Sequence, residues 1–412
     1  MRKLWMLFLT VAVIYSQKQV SLEISADQSG TLPIGIVVFQ PENGSEPVDD
    51  IRPWMTIAND LDFTGSFAVK KLNTADAEVL LKEQIPVYVA GTYKKTGDTI
   101  VLDIYLYDSG KKDLLLGKSY KFHKKDADLV AHKYSSTVHK TLLGENAPYE
   151  SKIVYVEKGN NNNKNIILCD YDGQNKNYLT KGGINIMPSF IDKQNILCVA
   201  YDKGKPDIYA VDIKQGKKTP IVATRKVESS PNYSDINGRV IFASSKSGNM
   251  EIYSINRDGT DEQRITVSQS ISTAPNWSPN GYKVAFISDR SGTPQVYVAD
   301  KTGANVQRIT FGGTYHDSPS WSPDGSKIAY TAQRSGKKMI AVSLANGNDE
   351  ELITADISGH QESPSWSPDG SHILFTLTQG GKSNICAIRL KDKRMIKITN
   401  GGNAEQSNWS GF

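Results

Sequence analysis

The chain has 412 residues, 38% apolar and 22% charged, a balance that excludes a disordered protein and a length that exceeds one ordinary domain, so two domains are expected. Its 48 basic and 44 acidic residues leave a net charge of +4 with the two signs interleaved, which gives no concentrated basic face and disfavours nucleic acid as a partner. Three cysteines, Cys169, Cys198 and Cys386, lie far apart inside apolar runs, so neither a metal-ligand spacing nor a disulfide framework is expected, and no cofactor is implied.

At the N-terminus Arg2 and Lys3 precede an apolar stretch from Leu4 to Tyr15, and polar Ser16, Gln17 and Lys18 follow. That pattern predicts a secretory signal peptide over residues 1–16. The stretch is shorter than the roughly 20 residues a helix needs to cross a membrane. No later apolar run is longer, and no cysteine follows to carry a lipid, so an exported protein without direct membrane insertion is expected. Residues 17–30 form an N-terminal segment in which Val20, Leu22 and Ile24 alternate with Ser21 and Glu23. This reads either as a strand offered to a partner's sheet or as an edge strand of the first domain.

Residues 31–145 carry an α/β pattern. Strands are predicted at Pro33–Phe39, Phe67–Lys71, Pro86–Tyr93, Ile100–Tyr107 and Leu114–Phe122, in a mixed sheet. Helices are predicted over Asp50–Leu61, with Pro53 in the first turn, over about Ala75–Glu83, and over Ala127–Leu143 with Asp126 as cap and Gly144 as stop. His132 and His139 on the last helix are separated by a rise of about 10.5 Å, too far to share one ion, and are read as surface or groove residues. Glu145–Ser151 reads as a linker.

From residue 151 to 412 the chain repeats. Trp277, Trp321, Trp366 and Trp409 recur at spacings of 44, 45 and 43 residues, and the same step backwards reaches Tyr233 and Phe190. Five of these six aromatic anchors have a proline two residues upstream. Turn sequences follow them, as in Ser322-Pro-Asp-Gly325 and Ser367-Pro-Asp-Gly370. Short β-branched and aromatic runs come next, and each repeat closes on an Ile-Thr pair: Ile265-Thr266, Ile309-Thr310, Ile353-Thr354 and Ile398-Thr399. Four short strands every 43 to 45 residues predict a six-bladed β-propeller. Because Trp409 lies three residues from the end, its strand is expected to pair with the one at Ile153 and close the ring. Asn160–Asn163 reads as a hairpin loop. Asp170-Tyr-Asp-Gly173 reads as a plain turn, because Lys181 stands where a calcium loop needs glutamate.

No Gly-x-Ser-x-Gly elbow, His-Glu-x-x-His motif or Walker loop occurs. The turns entering each blade should converge at one mouth of the central channel. Four residues before the anchors stand Ile186, Ser229, Thr273, Asp317, Glu362 and Glu405. Glu228, Ser272, His316 and Gln361 come one place earlier, and His360 one earlier still. As a set these residues are the candidate binding surface, and the residues alone leave a catalytic or metal role for Asp317, His316, Glu362 and His360 open. The alternative is a propeller hydrolase or lyase that uses the carboxylates of Asp317 and Glu362.

The export signal, the first domain, the Trp-Ser-Pro-Asp-Gly blades and the closing strand together resemble the TolB family of the Tol-Pal envelope system. So do Leu32-Pro-Ile-Gly-Ile-Val-Val-Phe-Gln40, Asp60-Leu61 with Gly65–Phe67, and Asp170-Tyr-Asp-Gly173. The resemblance implies a periplasmic, monomeric interaction scaffold. It would bind a Pal-like lipoprotein at the channel mouth, around Glu228, Ser230 and Thr273, and a TolA-like inner-membrane protein through about Val20–Ala26. It would thereby support outer-membrane integrity and cell division. Phe190-Ile-Asp-Lys and Tyr233-Ser-Asp-Ile depart from the family's blade motif.

Overall fold

The computed structural model describes residues 30–42, 52–202, 204–224 and 226–412. The expected signal peptide and the Val20–Ile24 segment lie outside them. The chain divides into two compact units between Glu150 and Ser151.

The first unit runs β1 (Leu32–Val37), β2 (Gln40–Pro41), α1 (Pro53–Phe63), β3 (Phe67–Leu72), α2 (Ala77–Lys82), β4 (Val87–Thr96), β5 (Thr99–Asp108), β6 (Leu114–His123) and α3 (Ala127–Leu143). Its sheet has the order β3-β1-β4-β5-β6, with β2 on β4. The β3-β1-β4 pairs are parallel and the β4-β5-β6 pairs antiparallel, which makes the sheet mixed. Strict alternation in β5 buries Ile100, Leu102, Ile104 and Leu106 on one face. Pro53 opens α1, where its missing N–H would have had no partner anyway. Gly144 ends α3 in the left-handed conformation at φ 74°.

Two expectations fail here. Asp126 stands at the cap position of α3 but makes no capping bond. A single 3₁₀ turn, Lys124–Asp126, leads into the helix, and the cap passes to His123, whose Nδ1 accepts from the Lys125 N–H at 3.3 Å. His132 and His139 are not surface residues: each is 2% exposed. Seven residues apart, they share a helix face, and that face is the buried one. His132 Nδ1 lies 3.0 Å from the carboxylate of Asp60 on α1, itself 1% exposed. His139 Nδ1 lies 3.0 Å from the Tyr149 hydroxyl, which is 3.3 Å from the Thr64 hydroxyl. The periodicity of Val130, Tyr134 and Val138 marked the apolar stripe but gave no sign that polar partners widen it.

The second unit is a ring of six four-stranded antiparallel sheets. Blades 1 to 5 span Asn185–Val222, Glu228–Arg264, Ser272–Arg308, His316–Leu352 and His360–Lys397. Blade 6 joins the two ends of the unit: Ala404–Trp409 pairs with Lys152–Lys158, with Trp409 opposite Ile153, and Lys164–Asp170 and Asn177–Tyr178 complete it. The central strands are buried on both faces, which is why runs such as Ile328-Ala-Tyr330 read as continuous apolar segments and not as alternation. The core lies between blades. Trp321 of blade 4 packs with Ile287, Val296 and Ile309 of blade 3, and Trp277 of blade 3 packs with Ile241, Ile252 and Ile265 of blade 2.

The repeated residues acquire roles. The Thr266, Thr310, Thr354 and Thr399 hydroxyls accept from the N–H groups of Ile252, Val296, Ile340 and Ile385 at 2.8–2.9 Å, joining outer to third strands where the ladder ends. Gly303 lies against the preceding blade so closely that a β-carbon there would sit 1.8 Å from the Ile265 carbonyl oxygen. Gly173, in the expected Asp-Tyr-Asp-Gly turn, occupies the same position against Ile398. The three cysteines are buried and free, and burial pushes the thiols up, to about 12 for Cys198 and about 11 for Cys386.

Candidate functional site

Each blade begins with the strand that carries the anchor: Asn185–Asp192, Glu228–Ser234, Ser272–Trp277, His316–Trp321, His360–Trp366 and Ala404–Trp409. All six contain a bulge at one place. In blade 3, Thr273 pairs with Ile287 and Asn276 with Ala285, so three steps along the first strand oppose two along the second. The same shift occurs in the other five. Proline is tolerated in a strand at such a site because the bulge releases it from the ladder. The residue before it, or before Ser407 in blade 6, which has no proline there, takes positive φ: Met187, Ser230, Ala274, Ser318, Ser363 and Gln406, at 48–57°. None is glycine, and the conformation costs each about 1–3 kcal/mol.

Side chains hold these bulges. The Gln406 and Ser363 N–H groups donate to Thr376 Oγ1 and Thr331 Oγ1 at 3.0 and 3.1 Å, and Met187 N–H donates to Gln406 Oε1 at 3.1 Å. Between blades, Asn232 Oδ1 accepts from the Trp277 N–H, Asn276 Oδ1 from the Trp321 N–H, and Asn408 Oδ1 from the Phe190 N–H, each at 3.0–3.1 Å. The last of these bonds joins blade 6 to blade 1. The anchors are thus fastened by the residue one place upstream in the neighbouring blade, a signal present in the sequence as Asn or Ser before each aromatic.

The bulge sorts the candidate residues. Positions four before the anchor, Ser229, Thr273, Asp317, Glu362 and Glu405, are half-buried. Those one earlier are not solvated turn residues: Glu228, Ser272, His316 and Gln361 are strand residues with 0% exposure. The first strand of each blade already includes these residues, and its alternation turns them inward. His360 is exposed, and its Nδ1 accepts from the Lys338 N–H at 3.2 Å.

Most rim acids are neutralised within the ring. Glu405 is held by Lys158 at 2.6 Å and Lys164 at 2.7 Å. Burial opposes its ionisation, but the hydrogen bonds from the two lysines outweigh burial and keep its carboxyl below the ordinary value. Glu362 pairs with Lys338 at 2.5 Å, and Glu350 with Arg334 at 2.5 Å. Buried Glu228 accepts from the Thr224 hydroxyl through one oxygen.

Blades 3 and 4 enclose a cavity of about 160 Å³ that brings together Thr273, His316 and Asp317. Ile271, Ile287 and Pro294 supply apolar wall, and Asp289 and Tyr315 complete the polar lining. Asp317 accepts from the Tyr315 hydroxyl at 2.8 Å and from the Ser318 N–H at 2.7 Å. Burial first, and then the Arg334 cation, push His316 down to about 4, so its imidazole is neutral at pH 7. Ser229, Ser230 and Glu228 of blade 2 and His360, Glu362 and Glu405 beyond blade 4 do not line this cavity. Sequence analysis missed Ile271, Asp289 and Tyr315. Ile271 is 45% exposed beside the cavity, and Phe311 and Val267 add exposed apolar surface at the ends of the outer strands. An apolar residue just after Ile-Thr, in Ile265-Thr-Val267 and Ile309-Thr-Phe311, was the available signal.

A family model described as the TolB beta propeller domain matches residues 139–412. The chain belongs to the TolB family. A Tol-Pal system protein TolB from Gluconobacter oxydans is 28% identical over 236 residues, covering 55% of this chain and 51% of that protein. The counterpart from Rickettsia rickettsii is 29% identical over 263 residues and 59% of each. The chain thus spans about half the length of the curated relatives it matches. The crystal structure of TolB from Acinetobacter baumannii superposes with a TM-score of 0.79 at 25% identity, covering 92% of this chain and 96% of that one. Among the described residues no helix is long and apolar enough to cross a membrane.

Proposed function

We propose that the chain is an exported, periplasmic TolB-type component of a Tol-Pal system, a monomeric and non-catalytic scaffold that supports outer-membrane integrity and envelope constriction at division. A Pal-like lipoprotein docks at the ring mouth, over Thr273, Asp317 and the neighbouring first strands. A TolA-like inner-membrane protein engages Val20–Ile24. The observation that carries the reading is the cavity between blades 3 and 4, mostly apolar with a few polar side chains and set beside the bulges of those two blades, on a ring of the TolB family. Concave sites of this composition suit an inserted partner loop. Asp317 and Glu362 are already engaged by Tyr315 and Lys338, which favours docking over a hydrolytic acid–base pair.

The test is titration of the full chain with the soluble domain of its own organism's Pal-like lipoprotein. Thr273→Arg should abolish binding while leaving the melting temperature within a few degrees, because Thr273 is only half-buried. Undiminished binding would overturn the mouth as the docking face. Glu228→Arg is not an equivalent test, because burying an arginine in place of a 0% exposed residue would unfold blade 2. Deleting Val20–Ile24 should weaken capture of the TolA-like protein and leave the Pal-like titration unchanged.

A further inference from the structure

The rim acids differ in what neutralises them. Glu362, Glu405, Glu350 and Glu251 each have a lysine or arginine within 2.5–3.2 Å. Asp289 and Asp317, the two carboxylates that line the cavity, form no ion pair among the described residues. Asp289 Oδ1 accepts only the Ile271 N–H at 2.8 Å, and Asp317 accepts only its two neighbours, Tyr315 and Ser318. Two carboxylates therefore face one cavity with apolar walls, and among the described residues neither has a lysine or arginine at ion-pair distance; Lys338 lies over the Tyr315 ring, 5.1 Å from its centroid, and is paired with Glu362.

A second observation lies in the same wall. His316 is 0% exposed and packs edge-on against Tyr330, with ring centroids 5.6 Å apart. Arg334 Nη1 lies 3.3 Å from His316 Nε2. A guanidinium can only donate, so Nε2 accepts and the single proton of the neutral ring sits on Nδ1. That buried donor has no partner. A buried donor left unpaired is costly, and such a donor at a cavity wall suits a ligand that brings an acceptor.

Resting on the docking reading above, we propose that the cavity between blades 3 and 4 is the subsite for a basic side chain of the partner, an arginine or lysine on an inserted loop. Its aliphatic stem lies along Ile271, Ile287 and Pro294, and its charged head pairs with Asp317 and Asp289. The loop's own backbone carbonyl accepts from His316 Nδ1–H. The apolar walls exclude water from the pair and strengthen it relative to one on an open surface. The subsite selects for a cation. An acidic or purely aliphatic residue in the same place would leave both aspartates desolvated and unpaired.

The experiment uses the full chain and the soluble domain of its organism's Pal-like lipoprotein. Affinity is measured by calorimetry for wild type, Asp289→Asn/Asp317→Asn, Glu351→Gln and Thr273→Arg, each with its melting temperature. The double asparagine variant keeps the cavity's shape and should lose affinity by at least about tenfold. Glu351→Gln, which removes an exposed outer-strand carboxylate paired with Lys393 at 2.7 Å, should change it less than about threefold. Alanine replacement of each Arg and Lys of the lipoprotein should then find one whose effect vanishes against the double asparagine variant, as a double-mutant cycle requires of a direct pair. If the double asparagine variant binds as wild type while Thr273→Arg does not bind, the basic subsite is refuted and docking at the mouth stands. If Thr273→Arg also binds as wild type, or wild type itself does not bind, the docking reading falls and the subsite with it.

Discussion

In the ring, each polar position occurs six times, and the blades comment on one another; in the first unit each residue occurs once, and nothing in the chain repeats its environment. Thr266, Thr310, Thr354 and Thr399 share one backbone bond, so a fifth copy can be interpreted from the other four. His132 and His139 have no such siblings, and their buried partners, Asp60 on α1 and Tyr149 after α3, lie far from them in sequence or beyond the helix. The comparison also isolates what is not shared. Bulge, anchor and interblade bonds recur around the circle, whereas Asp289, Asp317 and the unpaired His316 donor meet at the junction of blades 3 and 4. Repetition marks what builds the ring, and departure from it marks what the ring presents to a partner.

Removal of residues 404–412 deletes the first strand of blade 6 and exposes two strand edges, and calorimetry should show the ring's cooperative transition lost while the first unit still melts. Retention of a single sharp ring transition would deny that the tail closes it. Asp60→Ala leaves His132 buried without its carboxylate and should destabilise the first unit by about 3–5 kcal/mol in urea unfolding. A change below about 1 kcal/mol would mean the pair is dispensable. Thr310→Val removes the hydroxyl that serves both the Val296 N–H and Gln295 Oε1 and should cost about 1–3 kcal/mol. Thr354→Val should cost a similar amount, because the blades are equivalent there.

Smaller effects separate the seam from the bulges. Glu405 has its carboxyl held below the ordinary value of 4.5, so its contribution is complete above that value and is lost as pH falls through the lowered one. Glu405→Gln should therefore flatten the acid limb of the ring's stability profile and leave it unchanged at pH 7 to 8 in shape. An acid limb identical to wild type would show that Lys158 and Lys164 do not act through this carboxylate. Ser318→Gly, at φ 51°, should stabilise by no more than about 1 kcal/mol, since relief of strain is partly cancelled by the added freedom of the unfolded chain. The same change at Ser363 should behave alike.

Much of the ring was legible because its signals are local and periodic: aromatic anchors, Pro-Asp-Gly turns and Ile-Thr pairs fall at fixed intervals, and strand length and turn chemistry follow from them. Closure was legible from phase, since Trp409 lacked the rest of a blade and Ile153 lacked a first strand. The bulge was not, although Pro188, Pro231, Pro275, Pro319 and Pro364 marked it. A proline inside a strand demands release from the ladder, and that release shifts which neighbours face inward. Missing it placed Glu228, Ser272, His316 and Gln361 in the turns of the channel mouth, on the candidate binding surface, when all are buried strand residues. In the first unit the strand runs and the Gly144 stop of α3 showed the scaffold, but not that His132 meets Asp60. The cavity was half legible. Thr273, His316 and Asp317 came from the repeat, while Asp289 and Tyr315 came only from folding two blades against each other.

The most direct test of docking at the mouth is site-specific photo-crosslinking of the full chain to its Pal-like lipoprotein. One photoreactive residue replaces Ile271 beside the cavity, and another replaces Asp258 in the hairpin after Asn256, at the opposite end of the strands. Crosslinking from position 271 and none from 258 is the result expected. Crosslinking from 258 alone would contradict the account.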